Sequence, residues 1–153
     1  MKKETVIIFT KYLLDFMYFA GIVVTVLLPF PGLLQRLMDL FDFHDFEGRY
    51  MEIIVIYFVL GILAVLILGE LRKMFRTVLN DDCFVKDNVV SLQRMGTYSF
   101  VIAVICLLRT VLYMTIAMLV LVLVFIIAGL FSKVLAFVFD RAVEYKLEND
   151  LTI

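Results

Sequence analysis

Between Met95 and Phe139 the chain reads M-G-T-Y-S-F-V-I-A-V-I-C-L-L-R-T-V-L-Y-M-T-I-A-M-L-V-L-V-L-V-F-I-I-A-G-L-F-S-K-V-L-A-F-V-F, with only Arg109 and Lys133 charged. As one helix this stretch would measure about 68 Å at 1.5 Å per residue, more than twice the hydrocarbon thickness of a bilayer. One span cannot absorb that length, whereas two spans joined by a tight turn can. Arg109, Thr110, Tyr113 and Thr115 concentrate the polar groups, which places the turn near 109–116 without a Gly or Pro to mark it. Spans of about 95–112 and 116–139 follow.

Working outward, Ile53 to Gly69 carries no charge, and Tyr12 to Pro29 is apolar apart from Asp15. These give spans of about 51–70 and 12–29. Of the 153 residues 64% are hydrophobic and 19% charged, against roughly 45–50% apolar in soluble domains. Mean hydropathy is +1.06. The composition excludes a soluble enzyme with one ordinary core, and it excludes a disordered tail. The reading is all-α: a single domain, 1–153, with four transmembrane helices and helical cytoplasmic extensions, and the lipid bilayer as its first partner. Formal charge is −1, so no general basic character points to direct nucleic-acid binding.

Orientation follows from the Lys/Arg bias of short loops. One side holds Lys2, Lys3, Lys11, Arg72, Lys73, Arg76, Lys86, Arg94, Lys133, Arg141 and Lys146; the other holds Arg36, Arg49 and Arg109. Both termini are therefore expected in the cytoplasm, in a bacterial inner membrane. The basic start and apolar stretch imitate a secretory signal, but no A-x-A site follows and Pro29-Phe30-Pro31-Gly32 reads as a turn, so the first span is expected to be retained. Cys83 and Cys106 fall in the inner loop and the third span, where neither location favours a disulfide.

Catalytic chemistry finds little support. His44 is the one histidine, serine is scarce, and there is no C-x-x-C, H-E-x-x-H, P-loop or G-x-G-x-x-G. No enzyme, cofactor or metal site is assigned. In the outer loop, 30–50, Asp39, Asp42, His44, Asp45 and Glu47 form an acidic group that reads as a solvated loop. There Leu33, Leu34, Leu37, Met38, Leu40 and Phe41 recur at helical spacing, as an interfacial amphipathic helix or a cap on the bundle. Intramembrane ionisable residues are the usual functional candidates. Asp15 stands one turn after Lys11 and can pair with it at i,i+4. Arg109 falls in the outer leaflet, where it can snorkel to headgroups or reach the acidic loop.

The informative segments lie on the cytoplasmic side. In E-L-R-K-M-F-R-T-V-L-N-D-D, residues 70–82, Leu71, Met74, Phe75, Val78 and Leu79 form one stripe while Arg72, Lys73 and Arg76 face away. The second helix thus continues beyond the membrane, breaks at Asn80-Asp81-Asp82, and restarts through Asn88 as a helical hairpin, 71–94. The tail, 140–153, is net acidic, with Asp140, Glu144, Glu148 and Asp150 against Arg141 and Lys146. Hairpin and tail can pair with each other or hold a shared partner.

Hairpin and tail together resemble an uncharacterised family of small four-span bacterial membrane proteins. Its hairpin typically reads L-R-x-I-F-x-T-L-x-x-G-N-P-F-x-x-E-N-V-x-x-L-R-x-I-G and its tail ends in E-N-D-L-T-[IV]. Here Leu71, Arg72, Phe75, Thr77, Phe84, Asn88, Val89, Leu92, Gly96 and the run Glu148–Ile153 match, over essentially the whole chain. Cys83 departs from the usual Pro, Asp82 from Asn, and Phe137 from a common acid. Members of that family are commonly encoded beside a very small helix-turn-helix regulator of the Cro/repressor type. What the resemblance implies is a membrane protein that docks or sequesters such a regulator. Arg72, Arg76, Phe84 and Asn88 would serve on the hairpin, and Glu148, Asn149, Asp150, Leu151 and Ile153 on the tail. The runner-up function is a small transporter, channel or self-protection protein using Asp15 or Arg109. Self-association as a homo-oligomer is left open by four thin helices.

Overall fold

The computed structural model describes residues 3–30, 50–80, 82–112 and 116–150, together with Gly32 and Arg36. Four helices carry the fold: α1 (Lys3–Leu27), α2 (Tyr50–Leu79), α3 (Lys86–Leu112) and α4 (Ile116–Asp150). No strand occurs among the described residues. All four helices are long and apolar enough to cross a membrane, so the chain is an all-α, multi-pass membrane protein. The acidic group and the apolar stripe of the outer loop lie outside the described residues, as do residues 113–115, Leu151 and Ile153.

The helix ends have local causes. Pro29 lacks the N–H that would extend α1, and the chain leaves the helix with Leu28 N–H on Val24 O at 3.0 Å and Phe30 N–H on Leu27 O at 3.1 Å. At the end of α2 the Thr77 carbonyl accepts from both Asn80 N–H and Asp82 N–H, each at 3.1 Å. Arg109 and Thr110, read from the sequence as the start of a turn, are helical, because α3 runs to Leu112. In lipid no water can satisfy a freed backbone group. Thr110 fits within the helix by donating its hydroxyl to Cys106 O at 2.8 Å.

Sequential helices pack antiparallel, α1 on α2, α2 on α3 and, most extensively, α3 on α4. The apolar window of α3 has the lowest mean hydropathy of those in the last three helices, 1.5 against 2.7 for α2 and α4, yet 44% of it is buried against 11% for each of them. Lipid explains the inversion: apolar side chains of the flanking helices face acyl chains, and the more polar helix takes the protected centre. Two apolar clusters line its length. Ile102, Cys106 and Val122 pack with Leu60, Leu63, Ile67 and Phe125 at mid-span. Val89, Leu92, Ala136 and Val143 pack with Met74, Leu135 and Phe139 at the charged end. Cys83 and Cys106 are both free thiols.

Within hydrocarbon, burying apolar surface against another helix gains little over burying it in lipid, so association depends on close packing of small residues. A Cβ built on Gly61 of α2 would stand 2.7 Å from Thr25 Oγ1 of α1. Thr25 is pinned there by donating to Gly21 O at 2.7 Å. Between α3 and α4, a Cβ on Gly96 would meet the backbone oxygen of Gly129 at 3.1 Å and Lys133 Cγ at 3.0 Å. A backbone carbonyl cannot swing aside as a side chain can. Gly96→Val should therefore push α3 off α4 and lower stability by about 1–3 kcal/mol, read as a lower melting temperature in mild detergent; an unchanged melting temperature would contradict this packing.

Candidate functional site

The helices are longer than the membrane needs, and the excess falls at one end. α2 has 30 residues and α4 has 35, about 45 and 52 Å against about 30 Å of hydrocarbon. The uncharged runs are 53–69 on α2, 95–108 on α3 and 116–132 on α4. What lies beyond them, residues 70–94 and 133–150, converges because neighbouring helices are antiparallel. The result is a three-helix headpiece projecting from the membrane, with the first turns of α1 beside it.

Glu70, at the end of the uncharged run of α2, forms the floor of this headpiece. It is 6% exposed. Its Oε2 accepts from Ser91 Oγ at 2.7 Å, and its Oε1 accepts from Lys73 Nζ at 3.0 Å and Arg94 Nη1 at 3.4 Å. The group joins α2 to α3 and forms part of a cleft of about 320 Å³ that also includes Asp87 and Asn88. One turn farther out, Asn88 is 2% exposed. Its Nδ2 donates to Thr77 Oγ1 at 2.6 Å and to Cys83 O at 2.8 Å, while Thr77 Oγ1 donates to Met74 O at 2.6 Å. One amide thus ties the end of α2, the connecting turn and the start of α3.

The tail is seated on this hairpin. Lys86 donates to Asp140 Oδ1 and Lys146 to Asp82 Oδ1, each at 2.7 Å, so one pair runs in each direction between the two segments. Lys133 Nζ reaches Gln93 O and Thr97 Oγ1, both at 3.0 Å. Phe84 packs on Phe139 with ring centroids 5.4 Å apart and the planes tilted by 52°. Exposed ion pairs contribute about 0–1 kcal/mol each. The seating therefore depends chiefly on the apolar cluster of Val89, Leu92, Ala136 and Val143 beneath them.

Several sequence expectations change here. Asp15 pairs with Arg72 of α2, not with Lys11 on its own helix. The Arg72 guanidinium also lies 4.8 Å from the Tyr18 ring centroid and 5.2 Å from that of Phe19, so a tertiary partner with two aromatic faces outcompetes a local lysine. The basic trio is split: Arg72 and Arg76 line a cleft against α1, while Lys73 turns to Glu70. Asn88, read as a partner-binding residue, is buried and occupied as a pin. The Arg109 guanidinium sits 4.7 Å from the Tyr57 ring centroid, with Nη1 buried and unbonded among the described residues; the acidic loop it was expected to reach lies outside them.

Phe84 remains half exposed beside the tail, and Glu148 and Asn149 occupy the exposed last turn of α4, which ends at Asp150. Glu70, Ser91 and Lys133 were not singled out in the sequence. The one available signal was that Glu70 is the first charge after an uncharged run, three residues before Lys73. Among the described residues no group of His, Cys, Asp and Glu could hold a metal ion. Asn88→Ala should leave the Cys83 carbonyl without its donor and cost about 1–3 kcal/mol, measured as loss of melting temperature and faster hydrogen exchange in residues 80–88; unchanged exchange there would remove Asn88 from this role.

No curated protein and no solved structure matches the chain. A family model does, over residues 27–153. That segment takes in α2, the hairpin, the central helix and the tail, so the match covers the headpiece and three of the four helices. The chain belongs to the family described as protein of unknown function (DUF2975).

Proposed function

We propose that the chain is a non-enzymatic docking protein of a bacterial inner membrane, with both termini in the cytoplasm, and that its headpiece holds a small helix-turn-helix regulator. The observation that carries this reading is the headpiece itself: about 15–22 Å of helix beyond the hydrocarbon, built as a folded unit by Asn88, Glu70 and the seated tail. The placement of eleven of the 14 Lys and Arg on that side, counted above, supports a cytoplasmic location. Because Lys86–Asp140 and Lys146–Asp82 neutralise each other, the surface offered to a partner is the exposed remainder of α4. That surface includes exposed Tyr145 and Leu147 of the net acidic tail, beside half-exposed Phe84. An acidic, aromatic face can compete with phosphate for the basic surface of a DNA-binding protein. Tethering the regulator would lower its free concentration at DNA. Asp15 and Arg109, the residues a transport reading would use, sit in separate pairs at opposite ends of the bundle, which favours docking.

Affinity purification in mild detergent tests this, comparing the intact chain, a version stopped after Val143 and a Tyr145→Ala/Leu147→Ala variant. The stop keeps the apolar cluster that seats the tail, and both substituted side chains are exposed, so the fold survives in each. A small DNA-binding protein should co-purify with the intact chain and be lost from the truncation and reduced in the variant. Equal recovery from all three, or from none, would overturn the reading.

A further inference from the structure

Between α1 and α2, at the depth where the uncharged runs give way to charge, lies a cleft of about 380 Å³ whose walls carry Lys11, Arg72, Arg76 and Asn80 over an apolar floor of Phe75 and Leu79. Asp15 of the same cleft is taken by Arg72. Lys11 and Arg76 are exposed and make no ion pair among the described residues, so two positive charges remain unmatched on facing helices. The cleft on the other side of α2 differs in this respect, because both its cations already face Glu70. Arginine offers a planar fork suited to phosphate oxygens, lysine a point charge and asparagine an amide donor.

A second feature of the same seam points to the source of that phosphate. The contacts Asp15–Arg72, Gly21–Val65 and Thr25–Gly61 define one line of α1 against one line of α2. Farther along that line an apolar groove of about 230 Å³ opens between Ile22 and Val26 of α1 and Phe58, Ile62, Val65 and Leu66 of α2. From Lys11 to Ile22 is about 16 Å along the helix and from Arg76 to Ile62 about 21 Å, within the range from half the hydrocarbon thickness, about 15 Å, to half the bilayer with its headgroups, about 20–22 Å. A free phosphate has no use for that groove, whereas a lipid has an acyl chain to lay in it. We propose that the α1–α2 seam is a binding site for an anionic phospholipid, its phosphate held by Lys11, Arg76 and Asn80 and one chain in the groove.

Native mass spectrometry of the delipidated full chain in mild detergent tests the site. The probes are phosphatidylglycerol, phosphatidylcholine with the same acyl chains, and inorganic phosphate. Phosphatidylglycerol should bind about tenfold more tightly than phosphatidylcholine, and inorganic phosphate far more weakly than either lipid. Lys11→Gln/Arg76→Gln should abolish the tenfold preference, while Lys73→Gln/Arg141→Gln, which removes the same charge elsewhere on the headpiece, should retain it. All four side chains are exposed, and unchanged elution on gel filtration confirms the folded state. Equal binding of the two lipids overturns the proposal, as does equal loss of preference in both double variants, which would mean diffuse charge attraction. Inorganic phosphate binding as tightly as phosphatidylglycerol would overturn the assignment to lipid.

Discussion

A helix can hide in hydrocarbon only as much of itself as the bilayer is thick, and α2 and α4 exceed that thickness by about seven turns between them. Antiparallel packing brings both excesses, and the start of α3, to the same end. Everything chemically distinctive follows from that constraint. Charges excluded from the spans collect where the helices overrun, and the overrun must then be organised in water by means that the spans do not need. A chain with the same apolar runs but helices trimmed to about 20 residues would keep the bundle and lose the headpiece.

The two parts are held by different physics because they have different solvents. Inside lipid, apolar side chains are as well placed facing acyl chains as facing one another, so the seams use close approach: Thr25 against Gly61, and Gly96 against the Gly129 backbone. In the headpiece the hydrophobic effect operates again, and Val89, Leu92, Ala136 and Val143 form a small water-excluding cluster. Polar groups beneath that cluster then need partners, since an unsatisfied buried amide or carboxylate is costly. Asn88 and Glu70 find them across helices. The central position of the least apolar helix belongs to the same logic, because α3 is the helix that must serve both solvents along one face.

What could be read from the chain divides along these lines. Span length and charge exclusion are one-dimensional properties, so Ile53–Gly69 and Met95–Phe139 announce their spans directly, and the polar run Asn80–Asp82 announces the hairpin. Pairing is not one-dimensional. Lys11 is the only cation within helical reach of Asp15 in sequence, yet Arg72, 57 residues away, holds it, because the α1–α2 crossing sets that distance and periodicity does not. Asn88 stood out through family resemblance; the structure buries it as a tie between α2, the connecting turn and α3. Glu70 and Ser91 meet only once α2 and α3 are laid side by side; the place of Glu70 as the first charge after an uncharged run marks the end of a span and does not reveal its partner on α3. Arg109 is a further case: no local pattern pairs it with Tyr57 of α2, whose ring centroid lies 4.7 Å from its guanidinium.

The last turns of α2 are shared property. Arg72 and Arg76 form one wall of the cleft against α1, while Glu70, Lys73 and Thr77, on the opposite side of the same turns, form a wall of the cleft against α3. A rigid helix cannot rotate or slide for one neighbour without doing so for the other. A ligand seated between α1 and α2 therefore changes the headpiece only to the extent that it binds one rotation of α2 better than another, and a partner on the headpiece alters lipid binding by the same factor. α1 is the weaker constraint on that motion. Only 6% of its apolar window is buried, and its main contacts are with α2, through one ion pair and small-residue packing. α3, by contrast, is clamped to α4 along its length. A linkage between the α1–α2 seam and the headpiece in this architecture therefore passes through α2, the helix with a charged face in each cleft.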